Sequence, residues 1–142
     1  MLVAESLQHV RLVERAIVYI KRVYGPLYAL VVMHDLPGQL GGDHPPRIGG
    51  YVPDIYALDA PPSIIIIGEA KTHEDLDTEH SRRQFFAFLK YANQQSSGVF
   101  ILAVPWQVAA TARNLLQRLT RQQGLERVRI VVIDDVQDKV NA

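Results

Sequence analysis

The 142-residue chain contains no cysteine. Disulfides, thiolate catalysis and cysteine-type zinc centres are therefore excluded, and the absence fits a cytoplasmic protein. No apolar run approaches the roughly 18 residues that a membrane-spanning helix requires, so no membrane partner is expected. The N-terminal stretch interleaves Glu5, His9, Arg11 and Glu14 with its apolar positions and does not read as a secretory signal. An excess of one charge is also missing. Fifteen basic and fifteen acidic residues balance to a formal charge of zero, a mild argument against a broad basic nucleic-acid footprint. Clustered metal-binding carboxylates would themselves cancel cations elsewhere. No repeat, linker or low-complexity tract is evident. Hydrophobic residues make up 48% of the chain, enough for a full core, and a single domain over residues 1–142 is expected.

Periodicity divides the chain into elements. Residues 5–24 repeat apolar side chains at three- and four-residue steps (Leu7, Val10, Val13, Ile17, Ile20, Tyr24), which predicts an amphipathic helix stopped by Gly25-Pro26. Strands are expected over 27–33, 51–58 and 64–72, the last two joined tightly enough by Asp59 to Ser63 to form an antiparallel hairpin. The Gly- and Pro-rich stretch 36–50 reads as a loop. After a charged connector, "HEDLDTEH", a helix is expected over about 78–95, capped by Thr78 or Asp77. A continuous apolar strand (98–105), a helix (about 107–123, ending at Gly124) and a last strand (127–134) complete an αβββαβαβ order. The expected fold class is α/β: an αβββαβ core with a mixed central sheet flanked by helices, extended by a C-terminal helix and strand.

The chemistry concentrates where "IIIIGEAKT" runs four isoleucines into Glu69 and Lys71. Alternation on a strand points these two side chains to one face, and Asp54 on the neighbouring strand can face them. Two carboxylates converging at a strand end offer oxygen ligands suited to Mg²⁺. A lysine beside them can orient a water or offset phosphate charge. An unpartnered carboxylate in such an apolar setting would be costly.

Pro53-Asp54 followed by Glu69-Ala70-Lys71 resembles the PD-(D/E)xK motif of the restriction-endonuclease-like nucleases. The resemblance covers roughly residues 5–105. It includes apolar residues before the Glu, Thr72 after the Lys, a helical glutamate (Glu14) ahead of the helix-ending Gly25, and a following helix with Gln and aromatics in "RRQFFAFLKYA". It implies a restriction-endonuclease-like fold and Mg²⁺-dependent endonuclease activity on duplex or branched DNA, with Mn²⁺ able to substitute. Asp54, Glu69 and the backbone carbonyl of Ala70 would ligate metal, and Lys71 would assist the attacking water. Glu14 would be a third carboxylate, and Gln84 would orient a carboxylate or touch substrate. At 100° per residue Glu14 flanks the face of Val10, Val13 and Ile17, whereas Glu5 falls opposite, so Glu14 is preferred.

Arg82 and Arg83 open the helix expected beside the site, and Arg47 lies in the Gly-rich loop. All three are candidates for phosphate contact. Tyr91, two turns beyond Gln84, reads as a core or half-buried residue. His73 and His80 read as connector residues, and Arg113, Arg118 and Arg121 as the wet face of the last helix. The surface of one small domain suggests a homodimer for holding a duplex. Two alternatives stay open: a catalytically inactive member acting as a nucleic-acid-binding or protein-interaction module, and an α/β domain with a small-molecule site.

Overall fold

The computed structural model describes residues 6–37 and 43–136. Helix α1 (Leu7–Val23) begins at Ser6, whose hydroxyl accepts from the His9 amide and so satisfies one of the open N–H groups of the first turn. Strands β1 (Val31–His34), β2 (Ile55–Leu58) and β3 (Ile65–Ala70) follow. A single helical turn, α2 (His73–Leu76), leads into α3 (Glu79–Asn93), which is capped by Thr78. Strand β4 (Gly98–Val104) passes through the 3-10 turn Trp106–Val108 into α4 (Ala109–Gln123). Gly124 closes that helix in the left-handed region (φ 66°), where a residue without Cβ is unstrained. Strand β5 (Arg129–Asp134) ends the sheet.

The five strands lie in chain order, β1-β2-β3-β4-β5. The first three form an antiparallel meander, and β4 and β5 run parallel to β3. The expected α/β class, element order and hairpin are all present. One difference lies in "HEDLDTEH", where the sequence predicted a plain connector and the chain makes the turn α2. Thr72 supports it by donating from its hydroxyl to Asp75 (3.1 Å). In the β2–β3 turn the Asp59 carboxylate accepts from the amides of Ser63 (2.7 Å) and Ile64 (3.0 Å), a local bond that sets the hairpin register.

Strand alternation splits the core into two layers. Ile64, Ile66, Ala70, Val99 and Ile101 pack under α1, against Leu12, Val13, Ala16 and Ile20. Ile65, Ile67, Phe100 and Leu102 pack under α3 and α4, against Phe85, Phe88, Leu115 and Leu116. Both β–α–β crossovers therefore place their helices on one face, as right-handed connections between successive parallel strands require. The carboxyl ends of β1, β3, β4 and β5 meet the amino end of β2 at one rim of the sheet. In open α/β sheets the ligand site characteristically lies along such a rim.

Candidate functional site

The β2–β3 ladder runs to Ile55↔Gly68, and in the same register Asp54 stands opposite Glu69. Beyond that point side chains take over from the backbone. The Asp54 amide donates to Glu69 Oε1 (3.1 Å), and the Ala70 amide donates to Asp54 Oδ2 (2.9 Å). The two acids are thus locked side by side at the sheet rim. Gly68 permits the close approach, since a Cβ there would meet Ile55 Cβ and Cδ1 at 3.1 Å.

Glu69 and Lys71 share the α3 face of β3, and both are buried. Lys71 Nζ donates to Gln84 Oε1 on α3 (2.5 Å) and lies 3.6 Å from Glu69 Oε2. Burial pushes the Glu69 carboxyl up to about 8, with the neighbouring Asp54 charge as the second cause. Lys71, the Asp54 amide and His9 pull in the other direction without cancelling the rise. A buried ion pair is a poor stabilising device compared with apolar side chains of similar volume. The strand of isoleucines thus ends in a carboxyl and an ammonium that apolar packing alone does not call for, with the carboxyl perturbed by its burial.

Asp54, Glu69, Lys71 and Gln84 are brought together as the sequence predicted. Glu14 is not. It is exposed and lines a separate depression with Arg11, Arg15 and Asp135. The helix residue that reaches the cluster is His9, whose Nε2 lies 3.3 Å from Asp54 Oδ2. The reason is the orientation of α1. Leu7 is exposed, whereas Leu12 and Ala16 are buried, so the inward stripe is rotated from the one the periodicity suggested. Taken from Val13, at the centre of that stripe, His9 lies about 40° away and Glu14 about 100° to the other side. Glu5 lies outside the described residues. The four-residue spacing of His9 from Val13 points to the cluster only once the rotation of α1 is known.

The other candidates are dispersed. Arg82 pairs with Asp77 (2.5 Å) and Arg83 with Glu79 (2.6 Å), both exposed, and Arg47 donates back to Gly50 O (2.9 Å). Exposed pairs of this kind are weak, so a phosphate can compete for either arginine. Tyr91 is half-buried, with its hydroxyl 3.0 Å from that of Tyr56. His73 and His80 are exposed, and His80 packs edge-on against Tyr51. A cavity of about 230 Å³ adjoins the cluster, lined by His9, Val10, Val13, Asp54 and residues 35–37.

The donor set suits a hard cation. Each carboxylate gives one oxygen to a backbone amide, and a carboxylate has about four lone-pair positions, so acceptor capacity remains on both. The raised Glu69 is the group whose charge a divalent cation would favour. Among the described residues no set of three or more His, Cys, Asp or Glu side chains is grouped for metal binding, so water or phosphate oxygens would complete the coordination of a cation held here. No described helix is long and apolar enough to cross a membrane.

Comparison with protein-family models, curated proteins and solved structures finds no match to this chain.

Proposed function

We propose that the protein is a Mg²⁺-dependent nuclease that hydrolyses phosphodiester bonds in DNA, built on a restriction-endonuclease-like core. The observation that carries this reading is the cluster of half-buried Asp54 with buried Glu69 and Lys71 at the carboxyl rim of the sheet, with Lys71 held by Gln84. Asp54, Glu69 and the Ala70 carbonyl would hold the cation, which supplies Lewis-acid stabilisation and a lowered water pKa when bound. Lys71 presents its ammonium beside that position. It orients a water for in-line attack on phosphorus and offsets charge on the phosphoryl oxygens. Gln84 removes the rotameric freedom of the lysine, so the group is positioned before substrate arrives. His9 holds the outer side of Asp54. Hydrolysis forms one P–O bond to water and breaks the P–O bond to the leaving oxygen.

A nicking assay on supercoiled and branched DNA, with Mg²⁺ or Mn²⁺ and with EDTA, tests the proposal. Metal-dependent cutting is expected, and Lys71→Ala or Glu69→Ala should abolish it while the circular dichroism spectrum is retained. DNA binding that is indifferent to EDTA, with no cutting by the folded wild type, would instead indicate the catalytically inactive binding module.

A further inference from the structure

A second concave surface lies on the outer side of α3. It encloses about 470 Å³, and its walls include Tyr51, Phe86, Tyr91, Arg83 and Lys90. The three aromatic residues are half-buried, so parts of their rings face the depression. Its floor is a small-on-small contact: Gly49, at φ 59°, presses so closely on α3 that a Cβ there would meet Ala87 Cβ at 2.9 Å. No acidic side chain lines it among the described residues, whereas two cations do. Lys90 Nζ already lies 5.9 Å from the centre of the Phe86 ring, a cation–π arrangement.

One wall comes from the segment that leads into the cluster, Tyr51 standing three residues before Asp54. Arg83 precedes Gln84 in α3, but successive helix side chains point about 100° apart, so the depression and the Lys71 contact occupy different sides of that helix. Arg83, Ala87, Lys90 and Gln94 follow one another at four- and three-residue steps, a stripe of about 16 Å along the helix. The ligand chemistry indicated is a planar ring joined to an anion: a ring face to stack on and two cations for the charge, of which Arg83 would exchange its exposed pairing with Glu79 for the anion. An aliphatic or acidic-repelling pocket would be walled differently.

We propose that this depression holds an unpaired nucleotide segment of DNA, with a base stacked on Phe86 and phosphates at Arg83 and Lys90. An incoming base takes the ring, and Lys90 moves from it to the phosphate. The assignment rests on the nucleic-acid reading of the site but not on cleavage. It makes a single strand, or the unpaired arm of a branched substrate, the preferred ligand over blunt duplex.

The test is fluorescence anisotropy of a labelled oligo(dT) and of a blunt duplex of equal length, in EDTA and over a salt series. Wild type, Phe86→Leu, Phe86→Ala, Lys90→Ala and the α4 control Arg121→Ala are compared. Stacking contributions predict that Phe86→Ala weakens single-strand binding by at least about fivefold. Phe86→Leu, which keeps apolar volume without the ring face, should do the same, while duplex binding changes by less than about twofold. Lys90→Ala should reduce the salt dependence by about one phosphate contact, and Arg121→Ala should be neutral. Equal affinity for single strand and duplex, or Phe86→Leu binding like wild type, overturns the assignment. So does sedimentation showing that the face is closed in a dimer that Phe86→Leu dissociates. Cleavage run in parallel separates the two proposals. Single-strand binding lost on Phe86→Leu by a protein that never cuts would sink only the nuclease, and cutting with unaltered binding in that variant would sink only the depression.

Discussion

Glu69→Gln should make the metal-free protein more stable while eliminating the proposed nuclease activity. Glu69 is 4% exposed, and burial beside Asp54 lifts its carboxyl from 4.5 to about 8. The sign follows from proton linkage. Between those values the folded protein keeps a proton that the unfolded chain has released, so the wild type loses stability as pH rises from about 4.5 to about 8. The ceiling on that loss is about 5 kcal/mol. Asp54 and Lys71 interact with the same charge and absorb part of it, which leaves an expected loss of about 1–3 kcal/mol. Glutamine keeps the oxygen that accepts from the Asp54 amide, but sets its amide NH2 where Oε2 lay 3.6 Å from Lys71 Nζ, a donor-to-donor contact that offsets part of the gain. In EDTA, urea unfolding from pH 5 to pH 9 should find the variant close to wild type at the acid end. At the alkaline end it should be more stable by about 1–2 kcal/mol, or roughly 2–8 °C in Tm. Adding Mg²⁺ at pH 8 should raise the wild-type Tm but not that of the variant. A wild-type stability that is flat or rising over this range, or a variant uniformly less stable, would refute the physical account of the cluster.

Lys71→Met should remove cleavage, and Gln84→Ala should lower kcat by about tenfold or more with little change in KM, because it releases the lysine without touching the carboxylates. Single-turnover kinetics would check both. His9→Ala should reduce cleavage through its contact with Asp54, whereas Glu14→Ala should leave it unchanged; the reverse pattern would put the helix carboxylate back in the site. Gly98→Ala places a Cβ 2.0 Å from the Ala92 carbonyl oxygen at the start of β4. Overpacking against backbone should lower Tm by roughly 6–12 °C, measured by thermal melting.

Much of the fold was legible because each signal is local. The three- and four-residue recurrence in α1 and α3, the apolar run of β4, and the glycines after α1 and α4 each act within a few residues. The turn α2 escaped because "HEDL" carries three polar residues and only Leu76 is buried, too little for a helical period to register. The pairing of Asp54 with Glu69 was foreseeable, since a tight turn fixes hairpin register and register fixes which side chains stand opposite. The lysine–glutamine contact was not foreseen: Gln84 was expected to orient a carboxylate or touch substrate, and it accepts from Lys71 instead. The choice between Glu14 and His9 was not foreseeable from the residue pattern used. Leu7 belongs to the apolar recurrence yet is 71% exposed, while Leu12 and Ala16, outside it, are buried.

By itself, then, the sequence determined the order and kind of the elements, the hairpin, and the meeting of two carboxylates and a lysine at its end, because all of these depend on alternation and short connections. Tertiary packing alone decided the rotation of α1 about its axis, and with it which side chain reaches Asp54. It also decided that the loop at Gly49 lies against α3 to form an aromatic and basic hollow. Contacts between elements far apart in the chain depend on how whole faces fit together, and no period of 2 or 3.6 residues encodes that fit.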